Sequence, residues 1–180
     1  SLETLSHELS HSRGPGSITV NGRQRAGDQE LKEIAGGFEE AKADVMGAYN
    51  VFHMMDQGVI PNAERAQMRA TYVAGLFRAM RFGVQEAHGK GAAMQYRYLR
   101  DKGAIVWDAN AKRFRIDETK IDGAIRDLVG DIVRLQGNGD YSGTKAFLDK
   151  WGALDPEGQQ VIGTMTHIPV DIRPVYPDKI

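Results

Sequence analysis

Apolar residues recur along most of this chain at spacings of three and four, the period of a helix with one buried face. Leu2, Leu5 and Leu9 predict a helix over 2–12, stopped by Gly14-Pro15-Gly16. Residues 17–25 read as a polar loop in which Ile18-Thr19-Val20 forms a short strand and Asn21-Gly22 a turn. Asp28 is the expected N-cap of a long segment carrying Leu31, Ile34, Ala35, Phe38, Ala41, Val45, Tyr49 and Phe52. Gly36-Gly37 is expected to kink or split that segment, and Gly58 and Pro61 to end it. Met68, Tyr72, Leu76 and Met80 mark a further helix over 62–81, and another is expected over 92–101.

The second half changes period once. Residues 104–107 and 114–117 predict a β-hairpin around Asp108-Ala109-Asn110. Ile121, Ile125, Leu128, Ile132 and Leu135 return to helical spacing. Asp140 caps a shorter helix with Phe147, Leu148 and Trp151, and Pro156 opens a last one reaching His167. Pro169 to Ile180, with three prolines, is expected to be extended. The pattern predicts a mainly α, multi-helix fold with one small hairpin.

Composition narrows the chemistry. A chain of 180 residues suits a single domain over 1–180. The formal net charge of -1 gives no basic field for nucleic acid. No apolar run approaches the roughly 20 residues of a membrane span, and no signal peptide is visible; a cytoplasmic location is expected. There are no cysteines, so a metal would have to be held by histidines and carboxylates.

His7-Glu8-Leu9-Ser10-His11 has the form H-E-x-x-H. On a helix the two histidines lie one turn apart on one face, where both can bind Zn²⁺, and Glu8 can act as general base on water. The run alone also fits a solvated helix face. A catalytic zinc needs a third protein ligand and one open position. Glu40 can supply that ligand, with Asp44 one turn on to accept the spare ring N–H of a histidine. Glu39 competes for the ligand role, and spacing does not separate the two. Glu39, Glu40 and Asp44 also fit a charged face paired with Lys42 or Lys32.

H-E-x-x-H followed by Glu39-Glu40-Ala41-Lys42-Ala43-Asp44 resembles the gluzincin metallopeptidases, and most closely the dipeptidyl peptidase III family with its bacterial relatives. Residues 93–97, the hairpin near Asp117 and Gly139-Asp140-Tyr141 are similar to later parts of that family. The resemblance implies a zinc-bearing, mainly helical catalytic domain acting on peptides, with Glu40 as ligand. It also implies the C-terminal portion of a two-lobed protein whose other lobe lies upstream. The family histidine that steadies the transition state aligns with Ala93, leaving His88 in Glu86-Ala87-His88-Gly89-Lys90-Gly91 as the candidate substitute. Arg78, Arg81 and Arg97 are candidates for a peptide carboxylate, and Lys90 is a weaker one; His53 and His167 read as structural. Some relatives are joined to Nudix-type domains, whose Gly-led helix with an R-E-x-x-E-E core is absent from this sequence. A zinc-binding module of the same fold without peptidase activity is the alternative.

Overall fold

The computed structural model describes residues 2–169. The expected tail over 170–180 therefore lies outside the described residues. The first helix, α1, runs Leu2–His11, followed by strands β1 (Ser17–Val20) and β2 (Arg23–Ala26) and a short helix α2 (Gly27–Leu31). A 3₁₀ turn leads into α3 (Ala35–Asp56), and then come α4 (Arg65–Met80), α5 (Ala87–Asp101), β3 (Ile105–Asp108) and β4 (Arg113–Ile116). The last helices are α6 (Ile121–Gly137), α7 (Tyr141–Trp151) and α8 (Pro156–Thr164). The fold is mainly α, as the apolar spacing predicts.

α3 is the axis of the molecule. It packs against α1, α5 and α6, while α4 lies on α5. Phe38, Val45 and Val51 of α3, Met94, Tyr96 and Leu99 of α5, and Ile121, Ile125, Leu128 and Ile132 of α6 are buried in one continuous core. Asp140 and Asp155 begin α7 and α8 by accepting from the backbone N–H of Gly143 and Gly158, both at 2.8 Å. The β3–β4 hairpin pairs Trp107 with Phe114, and Phe114 stacks on Phe77 of α4.

Four local expectations need correction. There are two hairpins, not one, because β2 pairs antiparallel with β1. Arg23-Gln24-Arg25 lacks the β-branched or aromatic residues that mark a strand. It is held by the turn, where Asn21 (φ 51°) and Gly22 (φ 75°) are both left-handed, as a two-residue hairpin loop requires. Asp28 does not cap α2; it sits inside the first turn, with Ala26 at the cap position. The long segment breaks at Lys32 (φ 54°), not at Gly36-Gly37, which lie in the first turn of α3. α5 begins at Ala87, five residues earlier than expected, so Gly89 and Gly91 are helical. They are packing sites: a Cβ on Gly91 would come within 3.1 Å of the Ala41 side chain.

α4 and α6 are tied by charge. Arg69 donates to both oxygens of Asp122, at 2.8 and 2.7 Å, and Arg65 to one of them at 2.6 Å. Burial alone would raise the Asp122 carboxyl, but the two guanidinium groups outweigh it and hold it below its ordinary value of 3.8. A depressed carboxyl contributes stability that is complete above its unfolded pKa and lost as pH falls through the folded one. Asp122→Asn is thus expected to cost about 2 kcal/mol at neutral pH, the scale of charge-assisted hydrogen bonds. Thermal melting across pH should show the gap to the parent narrowing below about pH 4. A gap constant down to strongly acidic pH contradicts this.

Candidate metal centre

α1 is seated on α3 by an unusual seam. Leu2, Leu5 and Leu9, whose spacing predicts the helix, point outward, with Leu5 and Leu9 each 58% exposed. The buried face carries Ser6 and Ser10 instead. Ser6 Oγ donates to the Gly47 carbonyl at 2.9 Å, Ser10 Oγ to the Ser6 carbonyl at 2.7 Å, and Asn50 Nδ2 to Ser10 Oγ at 3.2 Å. Gly47 allows the backbones this close: a Cβ there would lie 3.0 Å from the His7 nitrogen and 3.2 Å from its Cα.

This seating lays His7 and His11 over the acidic face of α3. His7 Nδ1 lies 2.8 Å from Asp44 Oδ1, and His11 Nδ1 lies 3.1 Å from Glu39 Oε1. A carboxylate only accepts, so both Nδ1 atoms carry a proton, and in the neutral imidazoles both Nε2 atoms present lone pairs. The two Nε2 atoms are 3.1 Å apart, and Glu40 Oε2 lies 3.4 Å from the one on His7 and 3.6 Å from the one on His11. With both imidazoles neutral, three acceptors converge with no proton of their own between them, an arrangement that a bound cation would satisfy. Tetrahedral zinc, with ligand distances near 2.1 Å, needs donor atoms about 3.4 Å apart. The triangle fits that requirement, and His7, His11 and Glu40 form the group among the described residues that could hold a metal ion.

The carboxylates of α3 and the groups around them shift one another. The hydrogen bond that His7 donates to Asp44 holds its imidazole above its ordinary 6.5 against the opposing effect of burial; the charges of Asp44, Glu40 and Glu8 add to it. Burial would raise Glu39, but hydrogen bonds from Lys42, Gln136 and His11 bring it below the usual carboxylate value. Asp44 has its own support, since Gln95 Nε2 approaches its second oxygen at 3.4 Å and the Tyr72 hydroxyl donates to Gln95 Oε1 at 2.7 Å. Tyr72 is wholly enclosed, and burial drives its phenol well above 10.

The other expected residues fall in different places. Glu8 is exposed, next to His7 on α1. His88 lies on the first turn of α5, and its Nδ1 stands 3.7 Å from Glu40 Oε2 at the exposed rim of the cluster. Arg97 is engaged with the Ala153 carbonyl and Asp155, and Arg81 with the Ile168 carbonyl. Lys90 borders a groove with Gly152 and Leu154. His53 stacks on Tyr49. One participant takes a role other than the one read from the sequence, and two were not read as part of the site. Glu39, taken as a rival ligand, is the acceptor for His11; Gln136 and Gln95 reach the cluster from α6 and α5, and nothing local in the sequence announces them.

The helical scaffold thus presents a His-His-Glu triangle between α1 and α3. Solved relatives carry the same arrangement of elements. A dipeptidyl peptidase III structure from Caldithrix abyssi matches with a TM-score of 0.93 and 40% identity, over 96% of this chain and 33% of that one. The dipeptidyl-peptidase III of Corallococcus sp. strain EGB matches with a TM-score of 0.92 and 34% identity, over 97% of this chain and 32% of its own. The chain is a dipeptidyl peptidase III-like relative. A curated protein of Arabidopsis thaliana, Nudix hydrolase 3, is 36% identical over 177 residues, 97% of this chain and 23% of that protein. The chain thus spans about a third or less of the relatives it matches. No family model matches it. No helix among the described residues is long and apolar enough to cross a membrane.

Proposed function

We propose that this chain is the zinc-bearing catalytic domain of a dipeptidyl peptidase III-like metallopeptidase that hydrolyses peptide bonds. One observation carries the reading: the two Nε2 atoms and Glu40 Oε2 meet at separations of 3.1, 3.4 and 3.6 Å, with each Nδ1 proton held by a carboxylate. Zinc at such a triangle supplies Lewis acidity, polarising a carbonyl oxygen and making water nucleophilic near neutral pH. Glu8 takes the proton of the attacking water and passes it to the leaving amine. Asp44 and Glu39 keep the imidazoles in the ligating tautomer. His88, at the rim, donates an N–H toward the developing oxyanion.

The chain spans about a third of the solved relatives it matches. The same fact favours the second reading, a metal-binding domain of this fold that is not itself a peptidase. The likeness to Nudix hydrolase 3 does not bring that protein's chemistry here, because the alignment covers 23% of it and this chain lacks the Nudix pattern.

Elemental analysis of purified chain is expected to find stoichiometric zinc, and its absence defeats both readings. His7→Ala and Glu40→Ala each remove one corner of the triangle. Either variant should lose zinc to a chelator at least about 100-fold more readily than the parent, beyond the 10–100-fold typical of outer-shell changes. Parent-like zinc retention in either rules out this ligand set.

A further inference from the structure

Two adjacent carboxylates, Glu39 and Glu40, face the histidines of α1, and their surroundings sort them. Glu39 Oε1 accepts from Lys42 Nζ at 2.7 Å and from His11 Nδ1 at 3.1 Å, while Glu39 Oε2 accepts from Gln136 Nε2 at 2.6 Å. Both of its oxygens are thus taken by donors from α3, α1 and α6. Glu40 Oε2 meets ring nitrogens instead, those of His7, His11 and His88 at 3.4 to 3.7 Å.

Lys42 is the unusual member of this group. Its side chain is only 3% exposed, and lysine is almost never fully buried unless paired. Besides Glu39, its ammonium donates to the Arg13 carbonyl at 2.6 Å, just past the end of α1. Gly14, at φ +103°, turns the chain at that point beside the Lys42 ammonium. One buried cation therefore joins the end of the histidine helix to the carboxylate that holds His11.

We propose that Lys42 is a positioning residue of the metal centre: with Gln136 as second anchor, it fixes Glu39 as the acceptor of the His11 ring proton and keeps it off the metal, leaving Glu40 as the ligand. This rests on the zinc reading of His7, His11 and Glu40. With a neutral, apolar side chain at 42, Glu39 keeps only Gln136 and His11. It is then free to turn toward the metal, and His11 loses a fixed tautomer.

The test compares Lys42→Met, Lys42→Arg and Gln136→Leu with the parent 180-residue chain. Three quantities are read: zinc affinity by chelator competition, the absorption spectrum after cobalt substitution, and the melting temperature of metal-free protein. Lys42→Met is expected to weaken zinc about 10–100-fold, the range for outer-shell partners of metal ligands, and to shift the cobalt bands because the ligand set changes. Lys42→Arg should restore most of the affinity, and Gln136→Leu should move it a few-fold in the same direction as Lys42→Met. A Lys42→Met variant that melts lower but matches the parent in zinc affinity and cobalt spectrum shows a staple for α1 and overturns the proposal. Should Lys42→Met fail to fold, Gln136→Leu, at a half-buried position on α6, decides, and parent-like zinc and cobalt behaviour there overturns it. A parent that binds no zinc overturns the metal reading and this proposal together; a zinc-binding parent with an indifferent Lys42→Met overturns this one alone.

Discussion

Glu8→Gln is expected to bind zinc as the parent does and to hydrolyse peptides about 10²–10⁴-fold more slowly, the usual contribution of a general base. Glu8 is exposed on α1, and the three converging donor atoms come from His7, His11 and Glu40, so removing its charge leaves the triangle intact. Glutamine keeps nearly the shape of the side chain but cannot take a proton from water at neutral pH. The measurement is paired: zinc content, and turnover of a peptide substrate, with parent and variant side by side. Unchanged turnover with zinc retained removes Glu8 from the mechanism. A zinc-loaded parent with no turnover favours the non-peptidase reading.

Gly47→Val should abolish zinc binding while leaving most of the fold in place. The added Cβ would stand 3.0 Å from the His7 nitrogen, 3.2 Å from its Cα and 3.3 Å from the Ser6 carbonyl carbon. All three are backbone atoms of α1, so no rotamer change relieves the contact, and a β-branched side chain adds two methyl groups to it. Overpacking of this kind costs about 1–3 kcal/mol. Relief comes from moving α1, whose leucines face outward, and not α3, which is packed on α5 and α6 as well. Moving α1 carries both histidines off Glu40. Far-UV circular dichroism close to the parent, together with zinc affinity lowered more than about 100-fold, is the expected pair, the loss of two ligands exceeding any outer-shell change. Zinc affinity equal to the parent would falsify the account of the seam.

Much of the helical framework is legible in the sequence because the apolar stripes of α4 and α6 face the core they pack on. Tyr72, Leu76 and Met80, and Ile121, Ile125, Leu128 and Ile132, are all buried. The stripe of α1 misleads about its face. Leucine spacing predicts the helix correctly, yet Ser6 and Ser10 are the buried residues, because the close approach at Gly47 leaves room only for small side chains. The start of α5 is hidden for a related reason. Gly89 and Gly91 have poor helix propensity, but a Cβ on either would collide with its surroundings, the Gly83 carbonyl in one case and Ala41 in the other. At the candidate site, the proposed ligands sit in two short local patterns, 7–11 and 39–44, and local patterns are what a sequence displays. The outer partners are not local: Gln95 lies 51 residues from Asp44 and Gln136 lies 97 from Glu39. Only the fold brings them together.

The polar seam under α1 also bears on how tightly this chain can hold a metal. A ten-residue helix is marginal by itself in water. With its leucines turned outward, α1 gains little from hydrophobic burial and depends on its close backbone packing at Gly47, a few hydrogen bonds and what His7 and His11 share with α3. Part of the free energy of metal binding is then used in seating the helix that carries two of the ligands. The affinity observed is the intrinsic affinity of the assembled triangle reduced by the fraction of molecules in which α1 is already docked. By the same linkage, anything that presses on the outward leucine face and favours the docked helix tightens the metal without touching a ligand.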